Sequence, residues 1–406
     1  MKKVLFIPSP TLPFPPVKGG AVQNLLNFLV EDNDKKQKLD IYITSVYDIL
    51  AEKKASSLKN CKVHFIKVPK VLVKIRDKQV KWVSGVCARI IERIYIKGIR
   101  NIIRKINLDV IVFENTYKYS KILEKDLQNK YKILHLHNDY LNVDEKNAKV
   151  LAESYDEIIC ISRFIQERVR AVSNVKTDVV YNGIEIERFK RNLESYKNIR
   201  SKYNIPNDSI VFLFSGRIVI EKGVLELVKA FNKLNRNDVF LIILGSRIYG
   251  KTVNDEYTAK VLEEVEKSNK KIKMIGYINY EEINKYYSAC DIGVQPTLCE
   301  EALSLSVIEY LSTGMPAIIS NSGGMVELVT DSCGFIIDRD NNFIDNLANK
   351  MRILAEDKNL LEKYSIEAQS RAMQFNIEHY CNNFWNVMEN SSGKYNIRKR
   401  EENDEI

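Results

Sequence analysis

The sequence predicts an α/β protein in which two domains are each built on buried parallel strands joined by helices. Short apolar runs that suit buried strands alternate along the chain with segments whose apolar residues have helical spacing. The chain has 406 residues, more than one core of ordinary size holds, so two domains are expected. Of these residues 45% are apolar and 28% are charged, which is typical of a soluble globular protein.

The first domain is predicted to begin with a strand at Lys3–Ile7 and, after a proline-rich loop, a helix at residues 21–30. The loop ends in Gly19 and Gly20. Two glycines before a helix allow the backbone to approach a ligand closely, although an ordinary strand-to-helix turn explains the same spacing. Further strands are predicted at residues 40–45, 63–68, 109–113, 132–136, 156–161 and 177–181. Ser162 is a predicted N-cap for a helix at residues 163–172.

The second domain is predicted to follow a polar, mostly helical segment at residues 191–207. Its buried strands are predicted at residues 210–214, 239–244, 272–275, 291–295 and 317–319. Its helices are predicted at residues 224–234, 281–289, 304–313 and 343–373. We assign residues 1–190 to the first domain, 191–375 to the second, 376–390 to a further helix, and 391–406 to a charged tail that we expect to be disordered.

The net charge of +9 is concentrated in one segment of the first domain. Residues 66–109 contain twelve Lys or Arg and three acidic residues, so they carry the whole excess of positive charge. Apolar residues recur among the cations over residues 71–105, which predicts one or two amphipathic helices. Such helices suit contact with an anionic membrane or a lipid-pyrophosphate acceptor, and a solvated helix face explains them about as well. Because no aromatic pattern of a nucleic-acid-binding module accompanies the charge, we expect no nucleic-acid partner.

Cysteine and histidine usage argues against a disulfide framework and against a metal centre. The seven cysteines lack zinc-site spacing, and of the four histidines only His135 and His137 are close in sequence. No apolar run approaches a membrane span, and the apolar start fits a first strand better than a signal peptide. We therefore expect a protein of the reducing cytosol without metal or cofactor. The absence of Gly-x-Gly-x-x-Gly after the first strand disfavours a nicotinamide-dependent enzyme.

The most informative stretch runs from Asp291 to Gly334, where a strand, a loop with carboxylates and a helix N-terminus follow one another. The first N–H groups of a helix have no intrahelical partner and carry partial positive charge, so the amides at Leu305 and Ser306 suit a phosphate. Glu309, one turn deeper, suits the hydroxyls of a ribose, and Glu301 suits a group beyond the phosphates. Taken singly, either glutamate is more simply interpreted as a solvated surface carboxylate.

The spacing of this stretch is more specific than either glutamate. Glu301 and Glu309 have seven residues between them, after a strand that ends in proline and Thr297 and before Gly-x-Pro and Gly-Gly. This pattern resembles the donor-site signature of family 4 retaining glycosyltransferases of the GT-B fold. The spacing selects Glu301 rather than Glu300. Ser304 stands where the family often has glycine, at a point where backbone and sugar approach each other.

A second segment carries the same resemblance. Residues 215–223 resemble the family's Gly-Arg-x-x-x-Glu-Lys-Gly loop, which begins here at Gly216. Arg217 offers a planar fork and Lys222 a point charge, which suits two phosphates.

Three further residues match positions of the family. His137 matches the histidine that the family places at the wall of the cleft in its N-terminal domain. The turn after the strand at residues 272–275 commonly faces the nucleobase in the family, so Tyr277 and Ile278 are candidates for a base pocket.

The resemblance implies two Rossmann-like domains that face each other across a cleft, with a helix at residues 376–390 crossing back to the first. It implies transfer of a hexosyl unit, UDP-hexose being the favoured donor, to a saccharide or lipid-linked saccharide with retention of anomeric configuration. No metal is implied, and the protein is expected in the cytoplasm, at the inner face of the membrane if the basic segment binds lipid. The implied catalytic residues are His137, Arg217, Lys222 and Glu301. The implied donor-binding residues are Gly19, Gly20, Gly216, Tyr277, Ile278, Thr297, Ser304, Leu305, Ser306 and Glu309.

Two other interpretations stay open at the level of sequence. One is a GT-B relative that isomerises or hydrolyses a nucleotide sugar without an acceptor. The other is a non-catalytic GT-B protein that acts as a binding partner in a polysaccharide assembly complex.

Overall fold

A computed structural model describes residues 1–77, 81–246 and 256–404 of the chain. The chain forms two compact units, one made of Met1–Tyr181 with Tyr380–Ile406 and the other of Asn182–His379. Each unit contains one sheet in which all neighbouring strands pair in parallel. The predicted fold class, two α/β domains on parallel sheets, is confirmed.

The first unit has a seven-stranded sheet in the order β3-β2-β1-β4-β5-β6-β7. Its strands are β1 Lys2–Ile7, β2 Leu39–Val46, β3 Cys61–Ile66, β4 Val110–Glu114, β5 Tyr131–Leu136, β6 Glu157–Cys160 and β7 Lys176–Val179. Its helices are α1 Ala21–Lys36, α2 Ile49–Ala55, α3 Lys70–Asp77, α4 Lys81–Lys105, α5 Tyr119–Ile122, α6 Ala148–Ala152 and α7 Arg163–Arg170, with a 3-10 turn at Glu124–Asp126.

The second unit has a six-stranded sheet in the order β10-β9-β8-β11-β12-β13. Its strands are β8 Ile210–Ser215, β9 Val239–Leu244, β10 Ile272–Gly276, β11 Ile292–Gln295, β12 Ala317–Ser320 and β13 Gly334–Ile337. Its helices are α8 Leu193–Lys202, α9 Val224–Asn232, α10 Glu256–Glu266, α11 Ile283–Ser288, α12 Leu305–Thr313, α13 Phe343–Glu356 and α14 Lys358–Ala372. Short 3-10 turns lie at Ile186–Phe189, Ile220–Lys222, Gly323–Glu327 and Met373–Phe375, and α15, Ile377–Asp404, ends the described chain.

The strands are apolar without alternation because both faces of each sheet are covered. Four consecutive residues of β1, Val4 to Ile7, are fully buried, although neighbouring side chains point to opposite faces. Ser162 caps α7 as predicted, since its hydroxyl accepts the Ile165 N–H at 3.2 Å. Gly314 ends α12 in the left-handed region, with φ 82°.

Elements with weak apolar patterns are absent from the sequence-based assignment. Helix α2 follows Asp48, whose carboxylate accepts the Leu50 N–H at 2.9 Å, but its first residues, Ile49 and Leu50, are exposed and show no buried stripe. Helix α10, in which only Val261 is buried, is missed for the same reason, and the edge strand β13 is missed because it has only four residues. The predicted helix at residues 343–373 is two helices, because Asp357 caps α14 by accepting the Leu360 N–H at 2.9 Å.

The two units divide earlier in the chain than residue 191. Ile184 donates its N–H to the Phe375 carbonyl at 2.9 Å and bridges Asn376, so this segment belongs to the second unit. The end of the chain also differs, because α15 continues as a helix to Asp404 through the tail that we expected to be disordered.

The first half of α15 packs within the first unit. The Trp385 indole donates to Asp32 at 2.8 Å, and the ring of Phe384 stacks on Phe6 with centroids 6.1 Å apart. The Ser391 hydroxyl donates to the buried carboxylate of Glu157. These contacts attach the first half of α15 to strands and helices from the start of the chain.

The basic segment folds as the predicted amphipathic helices, α3 and α4. Arg100 and Arg104 of α4 both pair with Asp126, at 3.1 and 2.7 Å. Among the residues that the structure describes, no helix has the length and apolarity needed to cross a bilayer.

Arg200 provides a test of how the second unit is held together. Its side chain is 1% exposed and donates to the Ser209 carbonyl at 2.8 Å and to Asp291 at 2.7 Å. Arg200→Met should lower the free energy of unfolding by about 3 kcal/mol, because Asp291 keeps only the more distant Arg191 as an ion-pair partner and the Ala289 and Ser209 carbonyls lose their buried donor. Arg236→Met, which breaks pairs with the exposed carboxylates of Asp238 and Glu356, should cost no more than about 1 kcal/mol. Urea unfolding would measure both, and equal losses would contradict this account.

Candidate active site

The loops that follow β8 and β11 in the second unit are joined through their backbones. Gly223 has φ 65°, and a Cβ built on it would lie 2.0 Å from the Pro296 carbonyl oxygen. The Leu298 N–H donates to the Glu221 carbonyl at 2.8 Å. Only glycine fits at position 223, and its presence brings the Glu-Lys-Gly turn against the loop that carries the carboxylates.

Lys222 and Glu301 form an ion pair at this junction. The Lys222 ammonium donates to Glu301 Oε2, and the side chains are 16% and 20% exposed. Glu300 points elsewhere and pairs with Arg339. The structure therefore brings together two of the predicted catalytic residues, and it does so with the glutamate that the spacing selected.

The two glycines after β12 contact the backbone of Glu301. Gly323 has φ 48°, and a Cβ there would lie 2.3 Å from the Glu301 carbonyl oxygen. The Gly324 N–H donates to that oxygen at 2.8 Å. The Gly-Gly sequence thus fixes the main chain of Glu301, a role that spacing alone did not reveal.

The first turn of α12 begins at Leu305, four residues after Glu301. Ser304 is the N-cap residue, and it makes no side-chain capping bond. The N–H groups of Leu305 and Ser306 at this end remain available to a ligand or to water. Thr297, predicted to bind the donor, is instead fully buried, and its carbonyl accepts the Ser320 hydroxyl at 2.6 Å to join the loop to β12.

Glu309 lies one turn deeper in α12 among aromatic side chains. Its side chain is 5% exposed, and the Tyr287 hydroxyl donates to its Oε2 at 2.8 Å. Burial raises the pKa of Glu309 to about 7, and bonds from Tyr287 and Tyr280 and the charge of Arg188 reduce the shift. The Arg188 guanidinium lies 4.3 Å from the Tyr280 ring centroid. The sequence analysis missed these three neighbours because α11 and the 3-10 turn at Ile186–Phe189 meet α12 only in the fold.

The remaining donor-side candidates of this unit lie on the turns after β8 and β10. Gly216 is pressed against Gly245, where a Cβ would lie 1.8 Å from the Gly216 carbonyl oxygen. Arg217 is exposed and has no hydrogen-bond or ion-pair partner within the described ranges. Tyr277 is 43% exposed and Ile278 is half-buried. No contact joins Arg217 to Lys222 or Glu301 in the part of the chain that the structure describes.

In the first unit, His137 follows the carboxyl end of β5 and contacts the end of β4. Its Nε2 lies 2.9 Å from Glu114 Oε2, and its backbone N–H donates to Asn115 Oδ1 at 3.1 Å. Nδ1 of His135 lies 3.0 Å from the same Glu114 oxygen, but the contact lacks hydrogen-bond geometry. All three side chains of this cluster, Glu114, His135 and His137, are buried.

The cluster keeps Glu114 ionised. Burial disfavours the carboxylate, but the nearby imidazole of His135 and the hydrogen bond from His137 outweigh this effect and lower the pKa of Glu114 to about 2. Burial and the neighbouring His135 lower the pKa of His137 to about 4, against the opposing effect of Glu114.

These three side chains could also hold a metal ion, since their ligand atoms lie within 4.8 Å of one another. The sequence analysis found two neighbouring histidines too few for a metal site and did not group Glu114 with them. Parallel pairing of β4 with β5 sets Glu114 beside His135, a contact that no sequence spacing encodes.

Gly19 and Gly20 precede α1 with φ 72° and 109°, conformations that favour glycine. A Cβ on Gly20 would lie 2.7 Å from the Leu12 side chain, whereas the space beside Gly19 is open. Packing therefore explains why residue 20 is a glycine, whereas a donor-binding role for Gly19 stays a prediction.

The pKa of Glu309 leads to a test of stability against pH. A carboxyl group whose pKa rises from 4.5 to about 7 on folding binds a proton more tightly in the folded state. The stabilisation is fully present below pH 4.5 and is lost as pH rises to about 7, an effect of roughly 3 kcal/mol. Glu309→Gln should remove this component, so the variant gains stability relative to the wild type between pH 5 and pH 8 in urea unfolding.

Tyr287→Phe is the companion variant. Removing the donated hydroxyl should raise the pKa of Glu309 further, so the loss of stability still begins near pH 4.5 but extends to higher pH than in the wild type. The same pH response in the wild type and in Glu309→Gln would contradict the buried-carboxyl account.

Comparisons with known proteins show which proteins the chain resembles. Residues 195–371 match the family model "Glycosyl transferases group 1". The chain is 25% identical over 382 residues to the lipopolysaccharide 1,2-N-acetylglucosaminetransferase of Salmonella typhimurium, covering 92% of this chain and 94% of that one. It is 28% identical over 216 residues to the UDP-Gal:alpha-D-GlcNAc-diphosphoundecaprenol alpha-1,3-galactosyltransferase of Escherichia coli, covering 51% of each.

Solved structures identify the fold. HepE of Anabaena, in a crystal structure with UDP and glucose, has a TM-score of 0.73 at 18% identity, covering 96% of this chain and 100% of that one. The match spans both units, and the family match lies in the unit that carries Lys222, Glu301 and Glu309. The chain is a glycosyltransferase of the GT-B fold, and residues 195–371 of its second unit are similar to the group 1 glycosyltransferases.

Proposed function

We propose that the protein transfers a hexosyl unit from a nucleoside diphosphate sugar, with UDP-hexose favoured, to a saccharide or lipid-linked saccharide of the cell envelope. The transfer retains the anomeric configuration, as in the family 4 enzymes that the sequence resembles. The observation that carries the proposal is the joining of Lys222, Glu301 and the first turn of α12 within one unit. The relatives give further support. HepE was crystallised in complex with UDP and glucose, and the name of the Escherichia coli enzyme includes a diphosphoundecaprenol-linked sugar.

Charge is the basis of the catalytic step in this proposal. The departing nucleoside diphosphate gains negative charge, so positive groups held in place before the reaction lower its barrier. Lys222 and the N–H groups of Leu305 and Ser306 supply such groups, and Arg217 adds a second cation. Because these cations are part of the protein, the proposed mechanism requires no metal.

The carboxylates position the donor. Glu309 accepts hydrogen bonds from the ribose hydroxyls in place of the bond from Tyr287, and Glu301 accepts them from the transferred sugar. The Lys222–Glu301 pair holds both side chains in place when no donor is bound. His137 orients hydroxyl groups near the reacting carbon, and no side chain acts as a covalent nucleophile.

A nucleotide-sugar screen tests the donor assignment. A ligand that binds only the folded protein raises its melting temperature, so UDP-hexoses should give the largest shift among UDP, GDP and ADP sugars. Product NMR with lipid-linked saccharides as acceptors then reports whether the transferred sugar keeps its configuration.

Two substitutions test the site with the donor so identified. Lys222→Ala and Glu309→Ala should each lower transfer on the order of a hundredfold or more while the protein stays folded. Lys233→Ala, which removes an exposed lysine paired with Asp345, is the matched control and should leave the rate unchanged. Near-normal turnover in either of the first two variants would remove that residue from the site.

We further propose that the protein works in the cytoplasm and contacts the inner face of the membrane through α4. Val86 and Ile90 are exposed on the same helix face as Arg93 and Lys97. Within the described ranges these two cations have no ion pair, unlike Arg100 and Arg104, which Asp126 neutralises in part.

Vesicle binding tests this surface. Each cation near an anionic bilayer contributes about 1 kcal/mol, so replacing Arg93 and Lys97 by serine should weaken binding about thirtyfold. The matched control replaces Lys260 and Lys267, exposed lysines of the second unit, and should leave binding unchanged. Equal losses in both double variants would show that net charge, rather than this face, governs the affinity.

A further inference from the structure

We propose that Glu114 is a positioning residue that acts through His137: its carboxylate accepts a hydrogen bond from Nε2–H and leaves Nδ1 as the atom that faces the substrate. The inference rests on the proposed function in one respect only, the role of His137 beside the sugar hydroxyls. The arrangement of the two side chains is a property of the first unit itself.

The tautomer follows from the nature of the partner. An ionised carboxylate is an acceptor without a hydrogen to donate, and Glu114 Oε2 lies 2.9 Å from His137 Nε2. The hydrogen of this bond therefore belongs to Nε2. A neutral ring with its hydrogen on Nε2 has a free lone pair on Nδ1.

The surroundings fix the orientation of the ring. Glu114 is 2% exposed and His137 7%, so neither side chain has room to turn. The backbone N–H of His137 is held by Asn115, whose own N–H donates to the His135 carbonyl at 2.8 Å. Within the described ranges the structure gives His137 Nδ1 no protein hydrogen-bond partner.

The chemistry that follows is acceptance of a hydrogen bond. The Nδ1 lone pair can accept a hydrogen bond from a hydroxyl of the donor sugar or of the acceptor, which orients that hydroxyl without removing its proton. A protonated imidazole would be a donor at both nitrogens and would orient the same hydroxyl differently. Glu114 thus determines whether His137 Nδ1 is a hydrogen-bond acceptor or a donor.

The same cluster suggests a competing arrangement. Glu114 Oε1 and both ring nitrogens of His135 are buried without hydrogen-bond partners, and such atoms often mark an ordered water or an ion. A metal bound between Glu114, His135 and His137 would occupy the Nε2 lone pair of His137 and reverse the proposed tautomer.

Double-mutant analysis of the full chain tests whether Glu114 acts through His137. Glu114→Leu removes the acceptor and should lower kcat about ten- to a hundredfold, the worth of a hydrogen bond to a charged group, with little change in the donor KM. Glu114→Gln keeps an oxygen at this position and should restore most of the rate. In a His137→Ala background, Glu114→Leu should have almost no further effect, because its action passes through the ring. Equal effects in both backgrounds would overturn the proposal.

Two measurements do not depend on turnover. Nitrogen-15 NMR of the histidine rings should show the hydrogen of His137 on Nε2 in the wild type and a mixture of tautomers in Glu114→Leu. A wild-type ring with its hydrogen on Nδ1 would overturn the proposal. A zinc-dependent rise in melting temperature that His135→Ala abolishes would do the same, in favour of a metal site. If no donor or acceptor is turned over, the proposed function fails while the NMR result still decides the role of Glu114.

Discussion

The candidate donor site depends on how closely backbone segments approach one another at the carboxyl ends of β8, β11 and β12. Gly223 lies against the Pro296 carbonyl and Gly323 against the Glu301 carbonyl, at distances that leave no room for a Cβ. Lys222 precedes Gly223 in the chain, and Glu301 carries the carbonyl that Gly323 contacts. The main chain, rather than the flexible side chains, therefore brings Lys222 and Glu301 together. In a site of this kind the charged groups are already in position before a ligand binds, and electrostatic catalysis requires such preorganisation.

Three carboxylates of this protein show how surroundings assign different chemistry to one functional group. Glu301 faces the Lys222 ammonium and is held as an ion pair. Glu309 is surrounded by hydroxyl groups and aromatic rings, and burial raises its pKa to about 7. Glu114 lies among imidazoles that lower its pKa to about 2. Under the proposed function the first binds the transferred sugar, the second the ribose and the third a neighbouring histidine, and each environment favours a different protonation state or partner.

The end of the chain contributes to the site of the first unit. Tyr380 and Phe384 of α15 pack beside His135, with ring centroids 6.4 and 5.3 Å away. Farther along this helix, Trp385 is fixed by Asp32. The apolar rings of α15 close one side of the cluster of Glu114, His135 and His137, and they help to create the burial that shifts the pKa values of that cluster.

The sequence by itself determined the parallel sheets, most helix positions, and the choice of Glu301 over Glu300, because these depend on local apolar periodicity and on fixed spacing within a loop. Only the tertiary structure decided which side chains meet across elements. The contact of Glu114 with His137, the aromatic surroundings of Glu309 and the burial of Thr297 all come from strands or helices that are distant in sequence. The weakly patterned α2, α10 and β13 escaped prediction because packing, rather than local preference, stabilises short elements with few buried residues.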